Sequence, residues 1–151
     1  AVMRGYEGTT QFLLEISAGA GNIIGDTFEE LHQILEYIKS HDTMIYHSVG
    51  ICLDSAHMFA GGYDIKTKEG MRNTMEIIRN TIEIGRVKLI HANDSKVGLN
   101  EHKDRHDHIG DGKIGVEGFK NLMNVFGGVD FICETKPDKV KKDISKLKSL
   151  R

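Results

Sequence analysis
The chain has 151 residues, the size of one ordinary domain, with 39% hydrophobic and 28% charged residues, so a packed core is within reach and wholesale disorder is not expected. Twenty Lys and Arg against 22 Asp and Glu give a formal net charge of −2, which excludes a module that holds nucleic acid by bulk positive charge. No apolar run approaches the ~20 residues of a membrane span and no signal-peptide pattern opens the sequence. Cys52 and Cys133 each sit inside an apolar strand-like run. The expectation is therefore a chain with no membrane partner and no disulfide framework, intracellular (cytoplasmic or nuclear) rather than secreted.

Residues 1–10 (AVMRGYEGTT) show no period and read as a lead-in or a cut edge, ahead of a single unit over 11–151. QFLLEI (11–16) has strand character and leads into the glycine-rich loop SAGAGNIIGD. Thr27 stands three residues before Glu30, a capping-box spacing, and Leu31, Ile34, Leu35 and Ile38 follow at helical intervals. VGICLD (49–54) reads as a buried strand, followed by a long loop and a helix carrying Met71, Met75, Ile78 and Ile82. VKLIHAN (87–93) is the third strand; a polar loop from Asp94 to Gly115 and a helix bearing Phe119, Leu122, Met123 and Phe126 come next. DFICET (130–135) is the fourth strand, and Pro137, the only proline, fits the first turn of a last helix holding Val140, Ile144 and Leu147.

Strands that are apolar on both faces and alternate with helices predict an α/β fold, a parallel sheet covered by those helices. Right-handed crossovers leave an open doubly wound sheet or a piece of a βα barrel, and no G-x-G-x-x-G stands at a strand-to-helix turn. Four units make half of an eight-stranded barrel. Both outer strands would then present open edges, to be covered by a missing half, a second copy or a partner chain.

The polar residues at the strand ends carry the chemistry. Glu15, Asp54, His91 and Glu134 each follow an apolar run and would project from the C-terminal rim of a parallel sheet, where sites in such folds are built. A single acid or histidine at a strand end is ordinarily a loop cap or a solvated residue; one at all four strands points to a shared site. The loops add His57, three residues beyond Asp54, and the Asp104-Arg105-His106 element. Carboxylate oxygens and imidazole nitrogens suit zinc, and also manganese or iron. Ligands of this kind can hold metals ~3.5–4 Å apart and clamp a phosphate between them. His32, His41 and His47 read as surface residues, and His102 and His108 as flanks of the Asp-x-His element.

GICLDSAHMFAGGYDI (50–65) and HANDSKVGLNEHKDRHDHIGDGKIG (91–115) resemble the signature segments of the endonuclease IV family, zinc-dependent apurinic/apyrimidinic endonucleases of DNA base-excision repair. LLEISAGAGNIIG (13–25) and FICET (131–135) resemble that family's flanking strand ends, in the right order. The resemblance implies an eight-stranded βα (TIM) barrel with up to three zinc ions at its rim, of which this chain matches the C-terminal half. It implies that Glu15 bridges the first two metals, that Asp54, His91 and Glu134 complete the second, and that His57, Asp104 and His106 hold the third. The first metal's further histidines belong to the family's N-terminal half. The implied reaction is hydrolysis of the phosphodiester 5′ to an abasic site in double-stranded DNA. Glu134 and Glu15 would be its catalytic carboxylates, with Arg105 and Lys96 contacting the DNA backbone. An N-terminal half or a second copy would complete the barrel. Two rival readings remain: a divalent-metal sugar isomerase or epimerase, which does not need the His57–Asp104–His106 group, and a non-catalytic metal-binding half.

Overall fold
The computed structural model describes residues 5, 6 and 8–151; of the stretch read as a lead-in, residues 1–4 and 7 lie outside the described residues. In chain order the first elements are β1 (Phe12–Glu15), α1 (Phe28–His41), α2 (Thr43–Ser48), β2 (Val49–Asp54), α3 (Ser55–Ala60) and α4 (Lys68–Thr81). A short 3-10 turn (Ile84–Arg86) leads into β3 (Val87–His91), and β4 (Asp94–Ser95), β5 (His106–Asp107), α5 (Gly115–Phe126), β6 (Asp130–Ile132) and α6 (Val140–Ser149) follow.

The four strands expected from the sequence form one all-parallel sheet in the order β1-β2-β3-β6. Its register pairs Glu15 with Cys52, Asp54 with His91, and His91 with Ile132. Side chains alternate faces along a strand. Glu15, Cys52, Asp54 and His91 therefore share one face, while Leu53 and Ile90 fill the other. That second face is the core: Ile51, Leu53 and Ile90 are fully buried and cluster with Leu31, Leu35, Met71, Met75, Ile78, Phe119, Leu122 and Phe126 from the helices. The first face carries half-buried Leu13 and Leu89 and exposed Ile132 beneath the polar rim. Helices on one face and successive parallel neighbours are the build of half a βα barrel. Strands β1 and β6 form its two edges.

Local chemistry sets the helix starts. Thr27 Oγ1 accepts the Glu30 N–H at 3.1 Å, as the spacing predicts, but Glu30 Oε2 takes the Gly25 N–H at 2.7 Å instead of closing a reciprocal box. Gly25 sits at φ +92°, a left-handed backbone that a residue with a Cβ rarely adopts. Thr67 caps α4 in the same way as Thr27 caps α1.

Four expectations need correction. Helices α2 and α3 occupy stretches without helical periodicity in the sequence, each only six residues long. The loop from Asp94 to Gly115 contains an antiparallel two-residue ladder, β4 with β5, pairing Asp94 with Asp107 and Ser95 with His106. The fourth strand stops at Ile132, because the Glu134 N–H bonds to the Asn93 side chain and not to a neighbouring strand. The last helix begins at Val140: Lys139, at φ −124° and ψ 5°, stands outside helical geometry, so Pro137 lies in the preceding turn. Within α6, Leu147 is buried and Ile144 is 42% exposed. Among the described residues no helix is long and apolar enough to cross a membrane.

Candidate metal centre
The register brings the strand-end residues together at one rim. The ligand atoms of Glu15, Asp54, His91 and Glu134 all lie within 4.8 Å of one another, as do those of Asp54, His57 and His106. Asp54 belongs to both groups. His91 Nδ1 stands 3.1 Å from Glu15 Oε1 and 3.2 Å from Glu134 Oε2. Asp104 Oδ1 lies 3.4 Å from His57 Nε2 and 3.2 Å from His106 Nε2, and those two nitrogens are 3.4 Å apart.

Asp54 is fully buried and caps α3, its Oδ1 accepting the His57 N–H at 2.9 Å. This cap turns the chain into α3 directly after β2 and places His57 over the rim. The His57 ring is then pinned by a 3.0 Å contact between Nδ1 and the Ile16 carbonyl. A carbonyl only accepts, so Nδ1 carries the proton and Nε2 presents its lone pair toward Asp104 and His106. Burial pulls the His57 pKa down, but Asp54, the Ile16 carbonyl, Asp104 and Glu15 outweigh it and hold the ring above the ordinary histidine value.

These donors suit a divalent cation. Glu15, Asp54 and Glu134 are grouped at the rim with no Lys or Arg paired to any of them among the described residues; their ionisable partners are His57, His91 and His106. Imidazole nitrogens and carboxylate oxygens converging in this way form the borderline nitrogen–oxygen set that zinc, manganese and iron accept.

All seven expected ligands thus meet at one rim, while the other expected site residues fare differently. Arg105 and Lys96 are exposed: the Arg105 guanidinium donates to the Asp104 carbonyl at 2.6 Å, and the Lys96 N–H donates to the Arg105 carbonyl at 2.9 Å. His108 points away, with Nδ1 2.7 Å from buried Asp143 and Nε2 3.3 Å from Asp138, tying the ligand loop to α6. Three residues of the site escaped the sequence reading. Cys52 Sγ lies within 4.8 Å of ligand atoms of Glu15 and His91. Asn93, fully buried, contacts Asp54 and Glu134. Asp94, also fully buried, accepts N–H groups of Ser95, Gly110, Ile114 and Gly115 and so folds the IGDGKIG segment around itself. The two consecutive residues face opposite ways. The polar run Asn93-Asp94-Ser95 directly after an apolar strand marks both positions, but a search for carboxylates and imidazoles passes over Asn93, and Asp94 reads as the first residue of the polar loop.

Residues 7–150 match the family model described as a xylose isomerase-like TIM barrel. The probable endonuclease 4 of Aquifex aeolicus (strain VF5) is 44% identical over 128 residues, covering 83% of this chain and 43% of that protein. The chain belongs to the endonuclease IV family of these barrels. Another relative of this endonuclease IV family chain, the apurinic-apyrimidinic endonuclease of Caenorhabditis elegans, is 41% identical over 134 residues, covering 87% of this chain and 33% of that one. The crystal structure of endonuclease IV from Thermus thermophilus superposes with a TM-score of 0.72 at 29% identity, over 92% of this chain and 48% of that one. The chain spans about half the length of the curated relatives it matches.

Proposed function
We propose that this chain supplies the C-terminal half of the metal centre of a DNA-repair endonuclease, one that hydrolyses the phosphodiester 5′ to abasic sites in double-stranded DNA. The supporting observation is the meeting at one rim of seven side chains drawn from positions 15 to 134 of the sequence. Glu15, Asp54, His91 and Glu134 would hold one zinc ion, and His57, Asp104 and His106 another; manganese or iron are the alternatives for the same donors. Zinc supplies positive charge for the phosphate oxygens and the departing alkoxide, and lowers the pKa of water toward neutrality.

The chain's own groups do the rest. Glu134 and Glu15, both exposed at the rim, are the carboxylates placed to orient and deprotonate the attacking water. The Ile16 carbonyl keeps His57 in the tautomer that leaves Nε2 free. Arg105 and Lys96 lie on the solvent side of the loop that carries Asp104 and His106, and contact backbone phosphates of the duplex. Edges β1 and β6 pair with the complement of the barrel, an N-terminal half or a second copy. A DNA substrate places the protein inside the cell, in cytoplasm or nucleus.

The test is incision of a duplex containing one abasic analogue, with and without chelator, for the chain alone and with an N-terminal half added. Incision on the 5′ side that chelator abolishes is the expected result. Isomerisation of a sugar without incision would overturn the nuclease reading in favour of an isomerase-like barrel. Bound metal with no incision, even after the N-terminal half is added, would leave an inert metal-binding half.

A further inference from the structure
Asn93 stands on the extension of β3, the strand between β2 and β6, two residues beyond His91 and hence on the same face. The Ala92 N–H still donates to the Ile132 carbonyl at 2.7 Å, so the pairing carries the chain as far as the rim before it turns. The Asn93 backbone is then locked by Ser55, whose Oγ accepts the Asn93 N–H at 2.9 Å and lies 2.7 Å from the Asn93 carbonyl.

The side chain has one permitted orientation. Asn93 Oδ1 accepts the Glu134 N–H at 2.9 Å, which forces the amino group the other way, onto Asp54 Oδ2 at 2.7 Å and Glu134 Oε2 at 3.3 Å. One planar group therefore ties two carboxylates, one on the last residue of β2 and one two residues beyond β6, with the strand bearing His91 running between them. A buried amide that serves only to anchor a loop looks different. Asn121 gives its amino group to the backbone carbonyls of Ile65 and Lys66, at 3.1 and 3.0 Å, and touches no carboxylate.

We infer that Asn93 is a positioning residue for the metal centre: its carboxamide fixes the rotations of the Asp54 and Glu134 carboxylates so that their remaining lone pairs face one cation together with His91. The inference rests on the metal reading above. Hydrogen bonds of this kind behind a ligand hold its geometry, and their loss typically weakens metal binding about 10–100-fold. An amide N–H carries no net charge, so the two carboxylates lose rotational freedom without gaining a cationic partner.

The experiment uses the full chain. Zinc affinity is read by competition with a chromophoric chelator, and site geometry from the visible absorption of the cobalt-loaded protein. Asn93→Ala is expected to weaken zinc binding about 10–100-fold and to alter the cobalt spectrum. Asn121→Ala, which removes a buried amide bonded only to the Ile65 and Lys66 carbonyls, is expected to lower the melting temperature and leave both readouts unchanged. Should Asn93→Ala not fold, Asn93→Ser keeps a polar group too short to span both carboxylates, and the same weakening is expected. Wild-type zinc affinity and cobalt spectrum in a folded Asn93 variant, alongside lost binding in Asp54→Ala, would overturn the positioning role and leave the metal reading intact. No zinc uptake by the unaltered chain, or undiminished uptake by Asp54→Ala, would overturn the metal reading and this inference with it.

Discussion

Replacing Asp94 by Asn keeps the shape of the side chain and exchanges one acceptor oxygen for a donor amino group. In the native site Oδ1 accepts from Ser95 at 2.8 Å and Ile114 at 2.9 Å, while Oδ2 accepts from Gly110 at 2.9 Å and Gly115 at 3.1 Å. With the amino group in the Oδ2 position, the Gly110 N–H faces another donor in a site with no exposure at Asp94. Gly115 retains only a 3.4 Å contact to Oδ1. An orphaned buried donor costs about 1–3 kcal/mol, and the surviving bonds weaken as the acceptor loses its charge. A neutral group is cheaper to bury than a carboxylate, which returns part of that loss and leaves a net destabilisation of about 3 kcal/mol. For a chain of this size about 1 kcal/mol moves the melting temperature by ~2–4 °C, so a fall of roughly 6–12 °C is expected. Melting is followed by circular dichroism in the presence of chelator, which removes any contribution from bound metal. The opposite flip of the amide exposes Ser95 and Ile114 to the same conflict, so the outcome does not depend on the rotamer. A melting temperature within about 2 °C of the unaltered chain would refute the assignment of Asp94 as the organiser of the 110–115 turn.

Gly112→Ala should destabilise the same turn, since a Cβ there would stand 2.5 Å from both Asp94 Oδ1 and the Ser95 carbonyl oxygen; unchanged melting would contradict it. His106→Ala should reduce bound zinc by about one ion per chain while leaving the Glu15–Asp54–His91–Glu134 group loaded, as counted by elemental analysis after gel filtration. Burial pushes the Cys52 thiol up to about 12, with nearby Glu15 adding to it, and burial pushes Cys133 up to about 11. Alkylation at pH 8 should therefore be slow at both, slower at Cys52, and rise about tenfold per pH unit toward pH 10; rapid labelling of Cys52 at pH 8 would contradict the burial argument. Hydrogen bonds from Lys139 and Lys146 hold the Asp111 carboxyl below its ordinary value. Its contribution to stability is present above the ordinary carboxylate range and lost as pH falls through the lowered pKa. Asp111→Asn should accordingly lower the melting temperature near neutrality and converge with the unaltered chain in strong acid. A difference that persists in strong acid would refute the link.

The strands were legible because each is an apolar run flanked by polar punctuation, and two of the helices because Thr27 precedes one amphipathic stretch and Met71, Met75 and Ile78 mark the apolar face of another. The convergence of the strand-end residues was legible for a related reason: a parallel sheet delivers the ends of all its strands to the same rim, so position in sequence predicts convergence in space. Helix α3 left no periodic trace because five of its six residues are buried, erasing the polar face that a helical pattern needs. Its signal was the Asp54 cap three residues before His57, which reads equally well as two ligands. The β4–β5 ladder has two residues a side, too few for any alternation to register. The role of Asn93 was not legible for a different reason: it depends on which strands flank β3, and sheet order is a property of the assembled fold.

The peptide bond joining Asn93 to Asp94 links two structural duties. The first residue reaches back to the strand ends and the second forward to the turn behind His106. Inserting or deleting a single residue there would rotate both side chains out of place in one step, so length in this stretch is as tightly constrained as composition.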